Sequence, residues 1–138
     1  MEILVIDAQG GGIGKQVVSA IKKRYPEQRI MAVGTNSAAT SAMLKAGADN
    51  AATGENAVIV CSRKADVIIG PIGIVIADAL YGEITAAMAV AVGQSSAKRI
   101  LIPVNHCENF VVGVSETSTG ALIEKAVDEV GKLRVSGC

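Results

Sequence analysis

The stretch Ile3-Leu4-Val5-Ile6-Asp7-Ala8-Gln9-Gly10-Gly11-Gly12-Ile13-Gly14-Lys15 decides the fold. A short apolar run enters four glycines within five positions, and Val17, Val18, Ile21 and Tyr25 then recur on one helical face. The pattern is strand, glycine turn, helix, with a strand expected over 2–6 and a helix over 13–25, where Pro26 stops it. Glycines at such a turn let backbone N–H groups and a helix N-terminus approach a phosphate with no Cβ in the way. Glycine clusters also make tight turns for their own sake, but four in five positions exceed what a turn needs.

Working outward, the same alternation continues. A second strand fits 29–33 and ends in Gly34-Thr35-Asn36, and Asn36 or Ser37 caps a helix over 37–45 that Gly47 closes. A short third strand fits 49–52. By propensity Val58-Ile59-Val60 is a strand, yet it stands only a few residues from the next strand, 66–69. A parallel neighbour needs a crossover of about a dozen residues. A helix is therefore expected over 55–64, started by Thr53 or Gly54, with Ala57, Val58, Cys61 and Ala65 facing inward. The fourth strand ends at Gly70-Pro71. A helical region is expected over 73–94, interrupted at Gly82-Glu83 and restarted by Thr85 as N-cap. A fifth strand fits 99–103, and 110–114 reads as an extra edge strand. A last helix over 119–133 follows from the spacing of Leu122, Ala126, Val127, Val130 and Leu133, with 135–138 as a loose tail.

Alternating strands and helices with near-continuous apolar strands define the class as α/β. The expected architecture is a three-layer, doubly wound, mainly parallel sheet of Rossmann-like type, in the order 3-2-1-4-5 plus the extra edge strand. Residues 1–134 are expected to form a single nucleotide-binding domain. Ligands in such sheets sit outside the carboxyl ends of the strands, at the switch between strands 1 and 4. That topology places 8–14, Thr35, Asn36, 53–56, Gly70, Pro71, Ile72, Gly73 and 105–107 at the ligand edge.

Composition narrows the classes of function. The chain has 138 residues, half of them hydrophobic, and only Tyr25, Tyr81 and Phe110 are aromatic. Thirteen basic and thirteen acidic residues cancel. The chain thus lacks the charge and the stacking platform of a general nucleic-acid binder. Zero net charge with a mean hydropathy of +0.43 points to apolar surface hidden in a homo-oligomer. Cys61, Cys107 and Cys138 form no disulfide framework and no zinc spacing. No signal peptide is visible, and the apolar region 67–92 is broken by Gly70, Pro71, Asp78, Gly82 and Glu83. A soluble cytoplasmic protein, with no membrane partner, is expected.

The glycine turn admits several ligands. It resembles the G-x-x-x-G-I-G turn of short-chain dehydrogenases through Gly12-Ile13-Gly14, although Ala8 stands at the first glycine and Tyr81 lacks a lysine four places on. No acid follows strand 2, where NAD enzymes hold a ribose; Thr35 and Asn36 stand there instead. The segment also resembles the Gly-Gly-x-Gly-Lys of deviant P-loop ATPases. A Walker loop, however, needs glycine at position 9 and a hydroxyl at 16, and both are glutamine. Expected phosphate contacts are Gly10, Gly11, Gly12, Ile13 and Gly14. Gln9, Thr35 and Asn36 would meet ribose or base, and Gly70, Pro71, Ile72 and Gly73 would flank the distal half.

Asp7 either orients a ribose or accepts turn N–H bonds. Glu55 suits the first turn of its helix, and Glu83 falls at the helix interruption as a cap for the helix after Thr85. His106, the lone histidine, is the candidate for proton transfer and cannot build a multi-histidine metal site. Cys107 beside it lacks a basic group to activate it.

Across its length the chain resembles a small uncharacterised family of single-domain Rossmann-like proteins from anaerobic bacteria, classed only as a domain of unknown function. Asp7 to Lys15, Gly34-Thr35-Asn36, 39–48, 52–57, 65–77 and Gly82-Glu83-Ile84-Thr85 carry the resemblance. It implies the fold and no activity. The expected ligand is NAD or NADP, with oxidoreductase activity as one outcome. A ligand-sensing or scaffold module without turnover, and ATP binding of deviant P-loop type, stay open.

Overall fold

The computed structural model describes residues 1–104, 109–114 and 118–136. Its strands are β1 (Ile3–Asp7), β2 (Ile30–Gly34), β3 (Asn50–Thr53), β4 (Val67–Pro71) and β5 (Lys98–Ile102). The helices are α1 (Gly12–Arg24), α2 (Ser37–Lys45), α3 (Glu55–Lys64), α4 (Ala86–Gln94) and α5 (Thr119–Ser136). The strands pair in parallel in the order β3-β2-β1-β4-β5, the doubly wound order expected of a Rossmann-like sheet. In β1, at the centre, Val5 lies opposite Ala32 on one side and Ile69 on the other.

Every residue of β1 and β4 is buried, because helices cover both faces. Alternation along the strands splits the core. Ile3, Val5 and Ile69 meet Val17, Val18 and Ile21 of α1, Met43 of α2, and Val127 and Val130 of α5. Leu4, Ile6 and Ile68 meet Val58 of α3 and Met88 and Val92 of α4. Each such side chain contributes about 1.5–3 kcal/mol on burial. The core is aliphatic, since Tyr81 and Phe110 are 95% and 86% exposed.

Residues 55–64 are helical, and crossover length prevails there over the strand propensity of Val58-Ile59-Val60. Val58 and Ala65 are buried as expected, and Ala57 and Cys61 pack half-buried beside them. Asn36 caps α2 by accepting from the Ala39 N–H, and Thr85 caps α4 by accepting from Met88. Gly47 closes α2 with φ 121°, its N–H on the Leu44 carbonyl.

Three expectations change. Residues 73–85 do not form an α-helix. A short 3₁₀ turn, Ile72–Val75, is followed by a knot of turns in which Asp78, Leu80, Tyr81 and Gly82 take φ between 56° and 82°. Burial of Leu80 and Ile84 overrides the helical pattern, and Asp78 N–H to the Ile84 carbonyl at 2.7 Å closes the loop. Residues 110–114 are no strand: Phe110 and Val112 are exposed, and Gly113, at φ 88°, turns the chain. The sheet therefore has five strands among the described residues. Helix α5 runs on through Val135 to Ser136, into the segment expected to be loose.

Candidate functional site

The carboxyl ends of β1 and β2 meet the turn 8–11. The Gly11 N–H donates to the Ala8 carbonyl at 3.0 Å, and Gln9 and Gly11 take left-handed φ of 53° and 72°. What a Cβ would meet separates the four glycines. At Gly11 it would lie 2.9 Å from Ala39 Cα and O, and at Gly14 it would lie 2.5 Å from Met43 Sδ and 2.9 Å from Asp7 Cβ. These two glycines let α1 seat on α2 and on β1. At Gly10 and Gly12 a Cβ would meet nothing within 4 Å, and neither has a left-handed φ.

Gly10 and Gly12 line a cleft of about 310 Å³ with Asp7, Ala8, Gln9, Ile13, Gln16, Leu80 and Thr119. Among the described residues their N–H groups have no hydrogen-bond partner. Thr35, Asn36 and 70–73 are not in its lining. Gly70 and Pro71 are buried strand residues, and a Cβ on Gly70 would sit 2.5 Å from the Ile6 carbonyl oxygen. Gly73 lies under Leu80. Gly70, Pro71, Ile72 and Gly73 thus shape the β4 edge through packing. His106 and Cys107 lie outside the described residues.

Asp7 forms the floor of the turn. It is 5% exposed, and its two oxygens accept from Ala8 N at 2.8 Å and Gly14 N at 2.7 Å. It thus caps α1 from the strand, which Gly11, having no side chain, cannot do. Burial pushes the Asp7 carboxyl above its ordinary range. The N–H groups of Gly14, Ala8 and Ile13 pull it back, and the charge of Glu83 adds to the rise.

Glu83 joins the elements of the site. Its Oε1 accepts from Gln9 N at 3.0 Å, Thr35 Oγ1 at 2.7 Å and Asn36 Nδ2 at 2.8 Å. Asn36 Nδ2 also donates to the Gln9 carbonyl at 2.9 Å. Gln9 is thereby fixed at both backbone groups in its left-handed conformation. Burial acts to raise the Glu83 carboxyl, but bonds from Thr35, Gln9 and Asn36 prevail and hold it below the usual range. Glu83 is therefore a clamp between the turn and the β2 tip, and not the cap of α4. The signal in the sequence was its isolation: with Asp78 it is one of two charged residues between Gly73 and Ala97.

Lys15 is exposed and is not in the lining of the cleft. It lines a broad groove of about 1250 Å³ over α1, with Lys23, Lys45, Ala42 and Glu124 around it. No group of metal-ligating side chains occurs among the described residues. No helix there is long and apolar enough to cross a membrane.

A solved dodecameric FMN-dependent Ubix-like decarboxylase from Escherichia coli O157:H7 is similar at 18% identity, over 95% of this chain and 76% of its own, with a TM-score of 0.42. No curated protein matches the chain. The family described as "Domain of unknown function (DUF3842)" matches residues 2–134, and the chain belongs to it.

Proposed function

We propose that this protein binds a nucleotide at its glycine turn, with NAD or NADP as the ligand class. The observation that carries the proposal is the freedom of Gly10 and Gly12. Neither packing nor backbone conformation requires glycine at these positions, yet both line the cleft at the switch point. A ligand resting on the bare backbone gives the reason that the protein's own packing lacks. The cleft of about 310 Å³ is at the lower end of ligand pockets, roughly 300–1,000 Å³. It suits a phosphate and ribose, with the rest of a dinucleotide lying along the sheet edge.

In this proposal Gly10 and Gly12 N–H groups hold phosphate, while Asp7 keeps the turn in shape from below. The buried Asp7 carboxylate offsets part of the α1 dipole, so phosphate binding draws on the individual N–H groups more than on the helix field. Two points favour sensing over turnover. Glu83 engages Thr35, Asn36 and the Gln9 N–H, and the Asp7 carboxylate is taken up by the Ala8 and Gly14 N–H groups. The ATP-binding alternative loses its cation, since Lys15 lines the outer groove. A homo-oligomer is part of the proposal: α4 carries no charge and exposes Val90, and Tyr81 is bare at the cleft side of the sheet.

The test is titration of the purified protein with NADH, following native mass spectrometry for a retained ligand. Gly12→Val is expected to leave stability within about 0.5 kcal/mol, as at an unconstrained surface site. It is expected to weaken NADH binding at least about tenfold by holding phosphate off the backbone. Unchanged affinity in Gly12→Val would move the ligand elsewhere. A protein that binds no nucleotide would be a scaffold of Rossmann-like shape.

A further inference from the structure

We propose that Glu83 reads the ribose of the bound nucleotide and restricts the ligand to those with a free 2′-hydroxyl, the NAD and not the NADP class. The inference rests on nucleotide binding at the glycine turn. In dinucleotide-binding sheets an acid at the end of the second strand accepts the ribose hydroxyl. Here β2 ends in Gly34 and is followed by Thr35, Asn36 and Ser37, with no acid. The fold brings one to the same place from 48 positions further along the chain.

The two oxygens of Glu83 are unequal. Oε1 takes all three protein donors, Gln9 N, Thr35 Oγ1 and Asn36 Nδ2. Among the described residues Oε2 takes none. Three bonds to one oxygen fix the carboxylate, so its second oxygen needs no further ordering to accept from a hydroxyl. Glu83 is half-buried and lies outside the lining of the cleft, beside Gln9, which belongs to it. The strained turn behind it serves the same end, for Leu80, Tyr81 and Gly82 hold left-handed φ immediately before Glu83.

Charge sets the selectivity. The donors keep Glu83 ionised well into the acidic range, and Asp7 lies near enough to feel its charge. A 2′-phosphate would bring about −1.5 to −2 charges against these carboxylates. No lysine or arginine occurs from Gly34 to Leu44 to receive it. A hydroxyl donates where a phosphate is repelled.

The intact protein is titrated with two matched pairs of probes. NADH and NADPH differ only in the 2′-phosphate; ADP and 2′-deoxy-ADP differ only in the 2′-hydroxyl. The expected result is NADH tighter than NADPH by at least about 100-fold, and ADP tighter than its deoxy analogue by about tenfold. Glu83→Gln keeps an oxygen for the three donors and removes the charge, so both ratios should fall to a few-fold. Equal affinities within each pair, tighter NADPH, or ratios untouched in Glu83→Gln would overturn the assignment while leaving nucleotide binding intact. Failure of all four probes to bind would instead remove the site itself, and Glu83's role with it. The wild-type ratios stand whether or not the variant folds.

Discussion

Gly11→Val is expected to remove about 3–5 kcal/mol of stability, a large part of what a domain of this size possesses. Two separate costs add. Gly11 has φ 72°, where a β-branched side chain costs of order 1–3 kcal/mol. Its Cβ would also lie 2.9 Å from both the Cα and the carbonyl oxygen of Ala39, and 3.2 Å from the Ala42 Cβ. Those first two atoms are helix backbone, so α2 as a body has to move, at about 1–3 kcal/mol for overpacking. Urea unfolding should show the midpoint falling sharply with little change in slope. A loss below about 1 kcal/mol would mean that α2 is free to shift on α1.

The contrast with Gly12→Val is informative, since one glycine separates structure from site. Four glycines within five positions look alike in sequence. Gly11 and Gly14 are set by contacts with Ala39 and Met43, residues of the next helix, whose approach no local pattern reveals. Gly10 and Gly12 face open space. Packing and backbone conformation therefore require only two of the four glycines, and the sequence does not say which two.

Other parts of the fold were legible for equally specific reasons. The strand order follows from right-handed crossovers between near-continuous apolar strands in a doubly wound sheet, and the α3 assignment turned on crossover length alone. The caps Asn36 and Thr85 announce their helices through side chains that accept from the third residue on. Residues 76–84 were not legible. Asp78 tolerates its left-handed backbone, but at Leu80 and Tyr81 it runs against local preference and is held by the tertiary burial of Leu80 and Ile84. Glu83 travels with that segment. Its place at the β2 tip depends on a loop closed by tertiary contacts, so an acid was sought next to Thr35 and Asn36 in sequence, whereas Glu83 adjoins them only in space.

Asp7→Ala is expected to cost about 3 kcal/mol, and its pH dependence should distinguish burial from hydrogen bonding. The truncation leaves the N–H groups of Ala8 and Gly14 without their acceptors, at about 1–3 kcal/mol for each buried orphan. The folded carboxyl titrates above its ordinary value of 3.8 because burial outweighs the N–H bonds. The folded state therefore holds the Asp7 proton more tightly than the unfolded chain does. Its contribution is fully present below the unfolded pKa and declines as pH rises through the folded one. Glu83 has the opposite slope: its contribution is present above its ordinary value of 4.5 and is lost as pH falls through its lowered folded value. The penalty of Asp7→Ala, measured by urea unfolding between about pH 3 and pH 7, should accordingly be greatest at the acid end and shrink toward neutrality. A penalty that instead grows with pH would mean that the N–H groups of the turn favour the charged carboxylate more than burial opposes it.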